Sequence, residues 1–516
     1  MRRSSLPDWL LFAGVWAAAA LVLALAGLAF QAPGFMDAYY YFHVAANLAA
    51  GRGLTEDVIW NYLAPPAAVT HPSNLYWMPL ASAITAPFLA LFGETFRAAQ
   101  LPAVLVAAIV PAATAVVARR RLGSTFKAVS AAGLALFCGY YFVYWGAIDS
   151  FGVYALTAGA VFLATGAMRD AATPRRAAAL GAVAGAATAV AHLARADGPL
   201  LLAAGALPLL WPGGDHAPLR RVGLAAAVGA YALGMAPWLL RNVVVAGSPL
   251  PGGGLSTMLL TDYNEIFSYQ TPITLEHYLA QGWGPLLAGK WTAAYRNLGV
   301  LFGLEYWLIP FALAGWWRLR RWAPLGPALT YGVLLYLAMT LLFTFPSGRG
   351  SMLHSGVALV PWLAIAAVQG VEVAVVWVAA RLPHWNPPVA TRNFTLIFVA
   401  ISAAMCAYLT AEQARDWQKQ VDGYRGLAAA IAGPAPVVMT LNPPGWWWVT
   451  RQPAIQTPSD GPAAALAAAA RYGATHLVLE PARSLAWQDF DPGHAEGGHF
   501  QRVAEREGFT LFTVRP

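Results

Sequence analysis

Five titratable residues in this sequence have the type and placement to do chemistry, and all lie at the edges of apolar runs. In "FMDAYYYFHV" (35–44), Asp37 is the first acid after a long apolar stretch, and Tyr40 and Tyr41 follow as candidate substrate contacts. A carboxylate at a lipid–water boundary loses hydration, which raises its pKa and fits it for base catalysis near neutral pH. The same position in a first helical turn equally suits capping of free N–H groups. Asp149, in "AIDSFGVY" (147–154), is a second such acid. It can cap the helix that follows, bind a divalent ion jointly with Asp37 through oxygen ligands, or share base and orienting roles with it. Arg195 in "HLARADGPL" (192–200) and His354 in "FPSGRGSMLHSG" (345–356) add cationic groups at helix ends, as does Arg349 in the latter stretch. Arginine is the natural bidentate donor to phosphate, and glycines let backbone N–H groups approach it closely. The plainer reading of Arg195 is an internal pair with Asp197, and that of Arg349 is interfacial positioning.

Other candidates are weaker. His71, in the proline- and aromatic-rich stretch 61–80, is displayed on stiff extended backbone, fit for a phosphate, a metal or simple hydrogen bonding. Asp262 and Glu265 read as solvated acids on a loop able to close like a lid. "HAEGGH" (494–499) reads as a solvated loop, since no further zinc ligand lies nearby.

The elements that must carry these groups are membrane helices. Of the 516 residues, 58% are hydrophobic and only 11% charged, with 21 tryptophans and a mean hydropathy of +0.53. Soluble chains carry about 25% charged residues. The net charge of +8 is spread in short clusters between apolar runs, which is a topology signal and excludes a nucleic-acid-binding tract. Both cysteines, Cys138 and Cys406, lie inside apolar segments, so a disulfide framework is not expected. A spanning helix takes about 20 apolar residues. About 11 candidates follow, near 10–30, 98–118, 125–146, 151–168, 177–194, 199–211, 222–240, 298–317, 324–343, 355–379 and 394–411, the first read as uncleaved. With the N-terminus inside, the basic loops at 118–123, 169–176, 218–221, 318–321 and 380–393 all fall on the cytoplasmic side. The apolar segment 76–93 would invert that pattern if it crossed, so it reads as juxtamembrane or re-entrant.

Three regions are then expected outside: the loop 31–97, the loop 242–297, and a tail from 412 to 516. The tail has strand-like runs at 436–441, 476–480 and 509–514 around an alanine-rich helix at 462–471. The expected fold is mainly α: a membrane helix bundle (1–411) followed by a small outer α/β domain (412–516). No internal repeat of the kind common in transporters is evident.

The order of a first span, an aspartate with aromatics, "LAAGRGL" (48–54), "HPSNLYW" (71–77) and "AIDSFGVY" resembles the GT-C superfamily of membrane glycosyltransferases. Within it, the chain is most similar to bacterial dolichyl-phosphate-mannose mannosyltransferase and arabinofuranosyltransferase-like members. The resemblance covers about 10–411. It implies a polyprenyl-phosphate-linked sugar as donor, transfer with inversion to a glycan, lipid or protein acceptor, and no nucleic-acid partner. It makes Asp37 the catalytic base and Asp149 a metal or substrate ligand; separately, the growing charge on a leaving lipid phosphate must be met by cations, for which Arg349, His354 and Arg195 are the candidates. The expected location is a bacterial inner membrane, with the active site and C-terminus outside. Two departures stand out: Ala38 follows Asp37 where many mannosyltransferases have a second acid, and "THPSN" has a single proline. Alternatives are an oligosaccharyltransferase, whose tryptophan-rich motif "PPGWWWVT" (443–450) partly resembles, and a lipid or sugar transporter or flippase.

Overall fold

The computed structural model describes residues 7–210, 217–251, 253–303, 306–343, 350–382, 384–431, 436–488, 490 and 498–515. Among them, eight helices are long and apolar enough to cross a membrane. They are Asp8–Gly27, Phe96–Leu122, Phe151–Met168, Pro174–Ala194, Ala217–Ala246, Leu325–Leu342, Ser351–Ala379 and Pro387–Ala428. A ninth candidate, Thr125–Leu136 with Gly139–Trp145, is bent by 68° at its break. The chain is a polytopic membrane protein.

The two remaining apolar runs of the sequence are built differently. Pro199–Leu210 is a 12-residue helix. The run 298–317 is divided between the end of Trp283–Gly303 and the 11-residue helix Ile309–Leu319, which has Pro310 in its first turn. Segment 76–93 holds the helix Leu80–Phe92; its 13 residues reach only about 20 Å, too short for a bilayer core.

Small residues let the spans approach closely. A Cβ on Gly181 or Gly185 would lie 1.9 or 2.0 Å from a backbone carbonyl of Ala217–Ala246, and one on Gly315 or Gly370 would meet a carbonyl of the facing helix at 1.8 Å. Backbone-to-backbone packing of this kind is what drives association where lipid is as apolar as leucine.

The last span itself continues into the tail. Pro387–Ala428 is one helix of 42 residues, roughly 60 Å long, running out of the apolar zone into the tail. The tail strands are β4 (Val437–Thr440), β5 (Ala454–Gln456), β6 (Ala474–Leu479), β7 (Phe500–Arg506) and β8 (Phe509–Val514). The first outer loop contributes β1 (Thr55–Glu56), β2 (Val58–Ile59) and β3 (His71–Pro72). β2 joins the tail as its edge, giving a six-stranded sheet of order β2-β5-β4-β6-β8-β7; β1 and β3 form a separate pair. β2, β5, β4 and β6 are parallel, while β8 and β7 are antiparallel. Val438, Met439, Ala454, Ile455, Leu477 and Val478 are fully buried, as expected of parallel strands covered on both faces. The helix Pro443–Thr450 docks the tail onto Met36–Ala49: Trp447 stacks on His43 at 3.8 Å, and Arg451 lies over the Trp447 ring. Trp446 and Trp447 are thus core residues, which accounts for the tryptophan-rich motif by packing.

Candidate active site

Gly34 sets the entry to the site. Its φ is +98°, and a Cβ there would lie 2.1 Å from the Trp417 ring, so only glycine lets this turn press against the long last helix. The helix Met36–Ala49 starts immediately afterwards, with Phe35 as N-cap and no side-chain cap. Asp37 therefore stands in the first turn facing a cavity, its carboxyl capping no more than its own amide.

Asp149 occupies the turn between the bent ninth candidate and Phe151–Met168, fully buried. Its Oδ1 accepts hydrogen bonds from the Ser150 amide (2.5 Å) and the Ser150 hydroxyl (3.0 Å). Its Oδ2 lies 3.7 Å from His354 Nδ1. The His354 ring stacks on Phe151, and its short helix Ser351–Gly356 is pinned through backbone carbonyls: Tyr141 donates to Leu353 O (2.5 Å) and Tyr331 to Ser355 O (3.1 Å). Arg195, at the end of Pro174–Ala194, donates from Nε to Ser355 Oγ (2.9 Å) and from Nη2 to Ser351 Oγ (3.4 Å), with Asp197 3.6 Å away. Its inward turn depends on Gly198, where a Cβ would come within 2.5 Å of the His192 backbone.

Asp37, Asp149 and His354 thus converge, each offering one ligand atom, and these atoms lie within 4.8 Å of one another. The site is electrostatically poised. Burial, then the neighbouring Asp149 charge, push the Asp37 carboxyl up to about 7, against Arg195 and a hydrogen bond from its own backbone amide. Asp149 is also raised by burial, opposed first by Arg195 and then by the Ser150 hydrogen bonds. Two acids and one arginine in a shared low-dielectric site cannot all settle at ordinary values.

The cavity has a volume of about 1170 Å³, above the roughly 300–1,000 Å³ of ordinary small-molecule sites. Its walls include the aromatics Tyr41, Trp60, Trp77, Tyr140, Tyr144 and Trp417, and residues of the tail form one side.

The candidate residues divide accordingly. Asp37, Tyr41, Arg195 and His354 line the cavity, while Asp149, 3.7 Å from His354, is not a lining residue. Tyr40 faces away, its hydroxyl accepting from the Asn74 amide at 2.7 Å. His71 sits in β3, with ring nitrogens 3.0 Å from the carbonyls of Val58 and Pro72, and it is not a lining residue. Asp262 caps its own turn through the Asn264 amide, and Glu265 accepts from the Thr261 amide, so both acids hold the 253–268 loop together. Arg349 and His494 lie outside the described residues. Tyr140, Tyr144 and Trp417 were not singled out from the sequence; the run "YYFVYW" (140–145) was the available signal.

No protein-family model matches the sequence, nor does any curated protein. Several solved structures do match, and two of them cover nearly the whole chain. The first is ArnT from Cupriavidus metallidurans bound to undecaprenyl phosphate: 14% identity, TM-score 0.60, 97% of each chain covered. The second is the same protein in the apo state: 15% identity, TM-score 0.59, covering 97% of this chain and 98% of that one. The chain shares the fold of these structures. The likeness to ArnT extends through the tail as well as the membrane part, since both chains are covered almost end to end.

Proposed function

We propose that this chain is an inverting glycosyltransferase that moves a sugar from a polyprenyl-phosphate donor to a hydroxyl acceptor. The observation that carries the reading is the convergence of Asp37, Asp149, His354 and Arg195 at one large, aromatic-walled cavity. In the step proposed, the acceptor oxygen bonds to the anomeric carbon as the anomeric carbon–phosphate oxygen bond breaks. The electron pair leaves with the polyprenyl phosphate, and the acceptor proton passes to Asp37. A base titrating at about 7 is matched to that task, and such assistance contributes roughly 10²–10⁴-fold. Arg195 is the cation for the departing phosphate, held in orientation by Ser351 and Ser355.

A divalent ion fits the acid–imidazole cluster. Asp149 Oδ2 and His354 Nδ1 are buried and have no hydrogen-bond partner among the described residues. Two carboxylates with one imidazole suit manganese or zinc better than calcium. Such an ion would add positive charge beside the leaving phosphate; Asp149 and His354 would hold it with Asp37 as third ligand, and its charge would draw the Asp37 carboxyl below the value it has in the metal-free site.

Sidedness supports the same reading. Phe151–Met168 separates Asp149 from Arg169 by roughly 27 Å, and Pro174–Ala194 separates Arg175 from Arg195 by about 30 Å. The arginine-rich end also gathers the first helix, where Asp8 pairs with Arg119 and Arg120. Basic loops stay in the cytoplasm, which supports a proposed active site and tail on the outer face of the membrane. ArnT binds undecaprenyl phosphate in its solved structure, a lipid of the class proposed here.

The test is mass spectrometry of lipid that co-purifies with the protein, together with turnover of undecaprenyl-phosphate-linked sugars in nanodiscs. Release of undecaprenyl phosphate by the wild type and its loss in Asp37→Asn is expected. Bulk phospholipid alone, with no release from any such donor, would overturn the assignment.

A further inference from the structure

β4, β5 and β6 run parallel and end together on the cavity. Asn442 lies two residues past β4, Gln456 and Thr457 stand at the end of β5, and Glu480 follows β6; all four line the cavity. The strand order β5-β4-β6 places the connection after β4 on one side and the next strand on the other. Such a reversal opens a crevice at the carboxyl ends of the strands, where open α/β sheets bind their ligands.

The groups there are held unequally. Glu480 Oε1 accepts from Tyr424 Oη (2.6 Å), Thr440 Oγ1 (2.6 Å) and the Leu441 amide (2.8 Å), so its position is fixed. Asn442 donates to Gln420 Oε1 and accepts from the Gly445 amide. By contrast, Gln456 Oε1 and Thr457 Oγ1 have no hydrogen-bond partner among the described residues, although both residues are only 1% exposed. Buried polar atoms without partners are uncommon because desolvation is uncompensated.

We infer that the carboxyl ends of β4, β5 and β6 form a sugar subsite, with Gln456 and Thr457 hydrogen-bonding ligand hydroxyls. The argument rests on the glycosyltransferase reading above and adds to it where a carbohydrate is recognised. An amide oxygen and a hydroxyl beside a fixed carboxylate suit a hydroxyl-rich ring. That ring can belong to the lipid-linked donor or to the acceptor.

The experiment uses the full chain in nanodiscs and measures tryptophan-fluorescence titrations. The probes are undecaprenyl phosphate, the same lipid carrying each of a panel of hexoses and pentoses, and free oligosaccharides of those sugars. Wild type is expected to bind one sugar-bearing probe more tightly than its sugar-free counterpart. Gln456→Leu and Thr457→Val should each weaken that probe about three- to tenfold, the loss of one hydrogen bond, while leaving undecaprenyl phosphate binding unchanged. An effect confined to the sugar-linked lipid assigns the subsite to the donor; one confined to free oligosaccharides assigns it to the acceptor. Undecaprenyl phosphate bound by all three proteins, with no sugar-dependent difference between them for any probe, overturns the subsite alone. Failure of wild type to bind undecaprenyl phosphate overturns the underlying function. Thr457→Ser, which keeps the hydroxyl, should restore wild-type affinity.

Discussion

His354 Nδ1 stands 3.7 Å from Asp149 Oδ2, and neither atom has a hydrogen-bond partner among the described residues. A buried carboxylate and imidazole so placed are too far apart to hydrogen-bond and are spaced to hold a cation between them. With Asp37 completing the set, Mn²⁺ or Zn²⁺ is expected to raise the thermal midpoint of the wild type. Asp149→Asn and His354→Ala should lose that increment. Absence of any metal-dependent shift in the wild type would leave Arg195 as the positive charge of the site.

Asp37 gives a prediction with opposite signs for activity and stability. Its carboxyl is raised from 3.8 to about 7, so the folded state holds a proton across that window that the unfolded state has released. Stability contributed by this group is present below about pH 4 and is lost as pH rises through 7. Asp37→Asn removes the penalty. The variant should lose turnover by roughly 10²–10⁴-fold, yet melt at the same temperature as wild type below about pH 4 and at a higher one by pH 8. Wild-type kcat/KM should rise as pH approaches 7 and level off above it. A variant less stable than wild type at both pH values would assign Asp37 a structural role.

Arg195 tests whether shape or charge matters at the proposed phosphate position. Its Nε and Nη2 reach two different serines, a fork that lysine cannot reproduce. Arg195→Lys keeps the charge but should raise the donor KM about tenfold or more, the scale of a lost charge-assisted hydrogen bond. Recovery of wild-type KM by lysine would show that only charge is required.

Much of this site is legible in the sequence because membrane chains use charges sparingly. An acid or arginine at the end of an apolar run stands out, and Asp37, Asp149, Arg195 and His354 all do. What sequence periodicity does not resolve is rotation about a helix. Tyr40 and Tyr41 are adjacent, about 100° apart, yet one reaches Asn74 and the other lines the cavity. His71 looks displayed on stiff backbone, but its partner strand β1 and the Val58 carbonyl are two-residue features below any pattern. The capture of β2 by the tail sheet is likewise invisible locally, since Val58 and Ile59 pair with Ala454 and Ile455 almost 400 residues away. Broken helices escape for a related reason: hydropathy counts apolar residues and does not register the 68° bend at 136–139.

The glycine contacts between spans give a stability prediction independent of the chemistry. Gly185 faces Ala227 so closely that a Cβ would lie 2.0 Å from its carbonyl oxygen, and backbone cannot retreat as a flexible side chain can. Gly185→Ala must therefore push Pro174–Ala194 away from Ala217–Ala246, at a cost of about 1–3 kcal/mol. Gly159, in the interior of Phe151–Met168, has nothing within 4 Å of its Cβ position and serves as the control. Gly159→Ala should be neutral or stabilise by up to about 1 kcal/mol through helix propensity. Thermal unfolding in detergent compares the two. Equal midpoints for both variants would mean that these spans do not pack backbone to backbone. A drop confined to Gly185→Ala, with lowered turnover, would follow from the displacement of Arg195, which the same helix carries at its end.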